Sequence, residues 1–394
     1  MTGPGQVVLV GGGLAATRTV EELRRLGATG RITLVGAEKH LPYDRPPLTK
    51  DVLRGDRDDT SLREDWAALD VDLRLGRRAV ALHSDRSEVL LDDGEEVPFD
   101  ALVVATGATP RVLPGLSGPG VHVVRTIEDA LALRRDVLEA GRLTIVGGGF
   151  IGCEAAASAV ALGARVTLIE ALSAPLARVL GERVAEEVAA LHAAAGVELF
   201  CGVSVVEARS RNGRRELLLS DGSTVDAAVV LVGLGVLPET TWLTGSAVTV
   251  DDGILCDSLG RTSLPAVWAA GDVARWIEPR SGAHRRVEHW TSAADQGVAV
   301  ARDIMGQGKP LDVVPYFWSD QYATKLQVLG HPHPDDDVTL LRVGPRDDRL
   351  LAVYGRDGRV TGVVGGNAAR YVMRMRPLLA DAAPYADALT LAEG

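Results

Sequence analysis

Three cysteines in 394 residues, Cys153, Cys201 and Cys256, leave little sulfur chemistry to build with. They are widely spaced, form no CxxC and no zinc-ligand pattern, and supply no disulfide framework. A reducing, cytoplasmic setting is the expectation. Long apolar runs are scarce too: the longest, Ala227–Leu237, is broken by glycines and is too short to cross a bilayer. The first strand-like run begins by Val7, which leaves no room for a signal peptide. Excess positive charge is also missing. A formal net charge of −11 argues against nucleic acid or an anionic membrane as the main partner, without excluding a local basic patch. No low-complexity segment and no solenoid period occurs. With 46% hydrophobic and 24% charged residues, the chain has an ordinary globular composition and length for two or three domains.

What is abundant is glycine at turns. In Leu143–Glu170 a short apolar run leads into Gly147-Gly148-Gly149-Phe150-Ile151-Gly152. About three helical turns of small residues and a second apolar run ending at Glu170 follow. This is strand, glycine turn, helix, strand and acid, the order of a dinucleotide-binding unit. Gly147 makes the tight turn, Gly149 lets backbone amides approach a pyrophosphate, and Gly152 lets helix and strand close-pack. The diphosphate would sit on the positive end of the helix. Glu170 would accept bonds from ribose hydroxyls and repel a 2′-phosphate, which favours NADH over NADPH. The pattern recurs near the N-terminus: Val7–Val10, then Gly11-Gly12-Gly13-Leu14-Ala15-Ala16 with Ala16 in the third glycine slot, a helix-like Thr17–Leu26, Ile32–Val35 and Glu38. Two such units predict two dinucleotides.

Between and beyond them, His40–Lys50 is rich in proline and reads as a rigid extended loop carrying Arg45 and Lys50. Residues 71–113 read as short strands ending in Ala101–Gly107, a buried strand running into a glycine turn. Ile127–Ala140, Glu182–Ala195 and Trp290–Ile304 read as helices. The strand–glycine close recurs at Val229–Gly235, and Val267–Asp272 ends another strand in Gly-Asp. From Pro310 the character changes to an α+β module, with a hairpin over Leu350–Val364 turning at Arg356-Asp357-Gly358.

These residues resemble the FAD-dependent, NADH-using ferredoxin reductases of bacterial oxygenase systems, the family of putidaredoxin reductase and the biphenyl-dioxygenase ferredoxin reductases. The likeness covers nearly the whole chain: GGGLAA, LPYDRPPLTK, VVATGATP, VGGGFIGCE, VGLGVLPET, AAGDVA, HWTSAADQG and VPYFWSDQYATKLQVLG. It implies an α/β fold of two Rossmann-like, glutathione-reductase-like domains plus a C-terminal α+β domain. The implied division is an FAD domain of residues 1–113 and 237–309, an NADH domain of 114–236, and an interface domain of 310–394.

The resemblance also implies roles for residues. Gly11, Gly13, Leu14, Ala15 and Ala16 would cradle FAD, with Glu38 on its adenosine ribose. Arg45, Lys50, Val80, Ala105, Gly107, Arg125, Asp272 and the Trp290 backbone would lie against the same cofactor. Gly147, Gly149, Ile151, Gly152, Glu170 and Gly235 would hold NADH. Lys50, Glu154 and Trp318 are the candidate catalytic set: Lys50 paired with Glu154 toward the flavin, Trp318 bordering the nicotinamide. A loop lysine is ordinarily solvated, an acid at a helix start ordinarily serves the dipole, and a tryptophan ordinarily packs a core, so each role competes with a plainer one. His289 stands where the family often has a small polar residue, and hydride transfer gives it no work as a base.

Hydride passing from nicotinamide C4 to flavin N5 needs an exit for the electrons. Disulfide reductases of this superfamily carry a thiol pair or a single thiol beside the flavin, yet residues 39–55 hold no cysteine and Cys153 lies in the second glycine helix. A one-electron acceptor is the natural sink. The partner implied is a small acidic [2Fe–2S] ferredoxin serving a cytochrome P450 or a Rieske oxygenase. Arg342–Arg376, with eight arginines and three aspartates, is a candidate docking patch. Two other readings share the architecture: an NADH oxidase or peroxidase, and a redox-sensing interaction protein like apoptosis-inducing factor.

Overall fold

The structure, a computed structural model, describes residues 3–62, 65–211 and 214–393. The chain forms two compact units. The first comprises residues up to Asp44, Asp59–Thr109 and Val236–Val313. At its centre five parallel strands run in the order Val267–Ala269, Ala101–Val104, Gln6–Val10, Arg31–Gly36, Val71–Leu75. Val7, Val8, Leu9 and Val10 are all buried, as expected for a central parallel strand covered on both faces. The Leu14–Arg25 helix follows the first glycine turn, and the Trp290–Ile304 helix crosses it at Gly297. A Cβ at Gly297 would lie 2.4 Å from the Ala15 carbonyl oxygen, so only glycine permits that crossing. Thr19 Oγ1 donates to the Gly297 oxygen and fixes it.

The second unit comprises Arg45–Asp58, Pro110–Gly235 and the chain from Val314 onward. Its parallel sheet has the order Glu198–Cys201, Arg165–Glu170, Arg142–Val146, Val230–Val232, Val121–His122. The Ile127–Ala140 helix has the bounds read from the sequence because both ends are signalled locally. Thr126 and Asp129 form a capping box, and Gly141 (φ 62°) closes it in the left-handed region. The helix read from Glu182 begins earlier, at Ala177, and is interrupted at Gly181 (φ 71°), which packs on Pro334.

The C-terminal module is a five-stranded antiparallel sheet ordered Tyr316–Gln321, Thr324–Gly330, Arg359–Gly366, Arg349–Arg356, Asp337–Val343. Its hairpin turns on Asp357-Gly358, both at positive φ (52° and 72°), the primed turn such sequences favour. One face shares a core with the helices behind the second glycine turn: Leu326, Val328, Ala352 and Tyr354 pack on Cys153, Leu180 and Val184. The fold expected from the sequence, two parallel-sheet dinucleotide-type cores and a C-terminal α+β module, is the one observed.

One segment differs from expectation. Pro46–Thr49 is a 3-10 turn where an extended loop was expected, and a turn of α-helix, Asp51–Arg54, follows it. Pro46 occupies the first helical position, where a missing N–H is harmless. Among the described residues no helix is long and apolar enough to cross a membrane.

Candidate functional site

Each unit carries a glycine turn shaped as a phosphate cradle. In the first, Gly11 has φ +120°, and a Cβ there would lie 2.0 Å from the Ala105 carbonyl oxygen. Gly13 caps the Leu14–Arg25 helix, and a Cβ on it would meet no heavy atom within 4 Å. No side chain caps that helix and its first turn has no acid, so its leading N–H groups suit an anion. Ala15 and Ala16 are buried beneath it. Glu38, just past the second strand, accepts from the Tyr43 hydroxyl. Gly107 turns at φ +71°. Val80, 43% exposed, lies where the antiparallel Ala79–His83 strand slips register, so it reads as a bulge residue turned outward. Asp272 follows Gly271, whose N–H is held by Gln296 Oε1 at 2.8 Å, and the Trp290 indole donates to Asp44 Oδ1 at 2.6 Å. His289 is the N-cap residue of the Trp290–Ile304 helix.

In the second unit Gly147 has φ +108°, with the Gly233 oxygen 2.4 Å from a Cβ position. A Cβ on Gly152 would come 2.1 Å from the Gly147 oxygen, which is the close packing inferred for it. Gly149 caps the Phe150–Ala161 helix with its nearest such neighbour at 3.9 Å, again without a capping side chain or a first-turn acid. Ile151 beside it is exposed, and Gly235 turns at φ +84° with open space around it. Glu170 is aimed by the turn itself: Gly148 N–H donates to Oε2 at 2.6 Å and Leu172 N–H to Oε1 at 2.8 Å. Each oxygen retains a lone pair for a ribose hydroxyl. A dinucleotide therefore fits both turns.

The second unit also brings together Lys50 and Glu154. Lys50 Nζ lies 2.7 Å from Glu154 Oε2, with side chains only 10% and 5% exposed. Thr49 Oγ1 donates to the same oxygen at 2.6 Å, and Ser319 Oγ to Oε1 at 2.7 Å. Ser158 Oγ donates to the Thr49 carbonyl and Lys50 Nζ to that of Pro46, locking the short helical turn. Arg45 joins Arg125 in this unit, its guanidinium donating to the Arg125 carbonyl at 2.6 Å. Trp318 belongs to the same strand as Ser319. By strand alternation it lies on the face opposite Ser319, stacked on Tyr316 at 6.2 Å with Lys325 Nζ 5.7 Å from its ring. Thr49, Ser158, Ser319, Gln296 and Asp44 were not singled out from the sequence.

No thiol is poised to react. Burial pushes Cys256 up to about 12 and Cys153 higher still; burial raises Cys201 as well, Glu170 adding to it. All three are free cysteines. His83, Glu88 and Glu96 approach one another, but Arg86 already pairs with both acids at 3.2 and 2.8 Å, so a cation stands among them. In the arginine-rich segment, Arg342 pairs with Glu187, Arg346 with Asp348 and Arg356 with Asp336. Arg370 and Arg374 are exposed on one short helix.

His192 is fully buried, and burial lowers its imidazole from 6.5 to about 4, the Gln321 contact opposing the fall. The unfolded chain protonates this ring near pH 6.5 and the folded chain only near 4. Unfolding therefore binds an extra proton in that window, and stability drops as pH falls through it. The expected loss is about 3 kcal/mol. Urea unfolding of the second unit at pH 7 and pH 4.5 checks it, and His192→Gln should flatten the slope.

The description of the pyridine nucleotide-disulphide oxidoreductases matches residues 5–297, and that of the reductase C-terminal region matches 316–393. The chain belongs to this oxidoreductase family. The oxidoreductase is 40% identical over 331 residues, 82% of this chain and 81% of its relative, to the ferredoxin–NAD(+) reductase component of the p-cumate 2,3-dioxygenase system of Pseudomonas putida. It is 38% identical over 380 residues, 95% and 93% of the two chains, to the corresponding component of the anthranilate 1,2-dioxygenase system of Burkholderia cepacia. Putidaredoxin reductase, in its covalent complex with putidaredoxin, matches with a TM-score of 0.92 at 30% identity over 99% of both chains. The resemblance drawn from the motifs is thus borne out.

Proposed function

We propose that this oxidoreductase is an FAD-dependent NADH:ferredoxin reductase, passing electrons to an acidic [2Fe–2S] ferredoxin that serves a P450 or Rieske oxygenase in the cytoplasm. The carrying observation is a pair of open glycine cradles in a chain whose thiols are all held protonated. Relatives named as ferredoxin–NAD(+) reductase components support it. In this reading residues 1–113 and 237–309 bind FAD, 114–236 bind NADH, and 310–394 form the interface domain. Bound FAD supplies the conversion of a hydride into single electrons.

The chain's own residues do the rest. The amides around Gly11–Ala16 and Gly147–Gly152 hold the two diphosphates, and Glu38 takes the adenosine ribose of FAD. Lys50, anchored by Glu154, supplies positive charge toward the flavin, where reduction adds electron density. Trp318 borders the nicotinamide. Val80, Ala105, Gly107, Arg45, Arg125, Asp272 and Trp290 complete the FAD contacts. Exposed Arg370 and Arg374 attract the ferredoxin.

Rapid mixing tests this. Fast flavin bleaching by NADH, slow oxygen turnover, and cytochrome c reduction that requires added ferredoxin and weakens with salt are expected. Rapid oxygen or peroxide turnover without ferredoxin would instead favour the oxidase reading. Glu170→Ser should narrow the preference for NADH over NADPH about tenfold or more by removing a charge that faces a 2′-phosphate. Unchanged KM values for both nucleotides would count against Glu170 as the ribose acid.

A further inference from the structure

The helix that opens at the second glycine cradle, Phe150–Ala161, carries Phe150, Glu154 and Ser158 one turn apart on a single face. Each is met by residues from outside the helix. At the first tier Phe150 receives Phe317 edge-on, ring centroids 4.9 Å apart at 84°. At the second, Glu154 takes Ser319 Oγ on Oε1 at 2.7 Å, with Thr49 Oγ1 and Lys50 Nζ on Oε2 at 2.6 and 2.7 Å. At the third, Ser158 Oγ donates to the Thr49 carbonyl at 2.6 Å. The strand Tyr316–Gln321 thus covers the first two tiers, and the short turn ending at Lys50 the last two. Two residues of strand rise about 6.6 Å and four of helix about 6 Å, so Phe317 and Ser319 keep step with Phe150 and Glu154. Glu154 is the tier that strand and turn share.

We propose that Ser319 is a positioning residue for the Lys50–Glu154 pair, its hydroxyl setting the plane of the carboxylate that anchors the ammonium. This rests on reading that pair as part of the ferredoxin reductase site. The last torsion of a glutamate is broad and two-fold, so donors on Oε2 alone would leave the carboxylate free to turn. Ser319 holds the other oxygen. Its single proton is committed there, because Gln321 Nε2 donates to the same hydroxyl from 3.3 Å. Ser319 is 1% exposed, so bulk water cannot take its place. Without it, Glu154 can rotate and Lys50 can follow either oxygen, which spreads the positive charge over several positions while the ion pair itself survives.

The test uses FAD-loaded protein as Ser319→Ala and Ser319→Cys, with Glu154→Gln as reference. Nitrogen-15 labelling of lysine reads the ammonium directly, without turnover. The chain's lysines are Lys39, Lys50, Lys309 and Lys325, and of these Lys50 is the buried one, so a slowly exchanging ammonium signal belongs to it. That signal should be sharp in the wild type and shifted or broadened in S319A. S319A should lower the limiting rate of flavin reduction by NADH about fivefold to tenfold, with the apparent Kd for NADH changed less than about twofold. S319C fills the same space with a weak donor, so its rate should fall closer to S319A than to the wild type. An unchanged Lys50 signal in S319A, a wild-type rate in S319A beside a slow E154Q, or a wild-type rate in S319C beside a slow S319A would overturn the proposal. A wild-type rate in E154Q would instead remove the underlying reading of the pair, and the effect of Ser319 on rate with it, even where the Lys50 signal moves in S319A.

Discussion

Replacing Lys50 with Met is expected to lower the unfolding free energy of the second unit by about 3–5 kcal/mol, while the double variant K50M/E154Q recovers most of it. The lysine and the carboxylate are 2.7 Å apart with side chains 10% and 5% exposed, so neither has bulk water to fall back on. Removing the ammonium leaves Glu154 with two hydroxyl donors, from Thr49 and Ser319, and no counter-charge. A neutral amide in its place can accept from one hydroxyl through its oxygen and donate to the other through its nitrogen. A denaturation double-mutant cycle measures the coupling directly. Equal stability of K50M and the double variant would show that the pair is not an electrostatic unit. On the proposed function the two also separate in rate. Both should reduce flavin about 10–100-fold more slowly, because restoring stability does not restore the positive charge.

Two neighbouring glycines should fail in opposite ways. Gly11→Ala is expected to prevent the first unit from folding, since its Cβ would be driven to 2.0 Å from a backbone oxygen at φ +120° and no rotamer relieves that. Gly13→Ala should fold, because its Cβ meets no protein atom within 4 Å. The methyl instead projects at the helix cap where a pyrophosphate is proposed to approach. Soluble G13A with native far-UV circular dichroism should bind FAD about a hundredfold more weakly, a loss of about 2.7 kcal/mol. A yellow G13A protein that retains FAD like the wild type would mean that the first turn is not the FAD cradle.

What could be read in advance was what is written locally. Gly11, Gly13, Gly147 and Gly152 announce their turns by spacing within a few residues, and Thr126, Asp129 and Gly141 announce a helix in the same way. The supporting polar residues carry no such signal. Thr49 meets Glu154 across 105 residues, Ser319 across 165, and Trp290 reaches Asp44 across 246. Only the folding of each unit brings its own pairs together. The proline segment misled for a related reason: Pro46 forbids a helix interior but suits a helix start, and the sequence alone does not say which position it occupies.

The shared core behind the second glycine turn has a consequence for how this chain comes apart. Leu326, Val328, Ala352 and Tyr354 cover the apolar flank of the helices bearing Cys153, Leu180 and Val184, and the Tyr354 hydroxyl donates to the Leu180 carbonyl at 2.8 Å beside the break at Gly181. Stripped of those strands, the helices would present a greasy surface and an orphaned carbonyl to solvent. A recombinant fragment ending before Val314 should therefore come out aggregated, and a protease nick within the terminal strands should melt the adjoining nucleotide fold along with them.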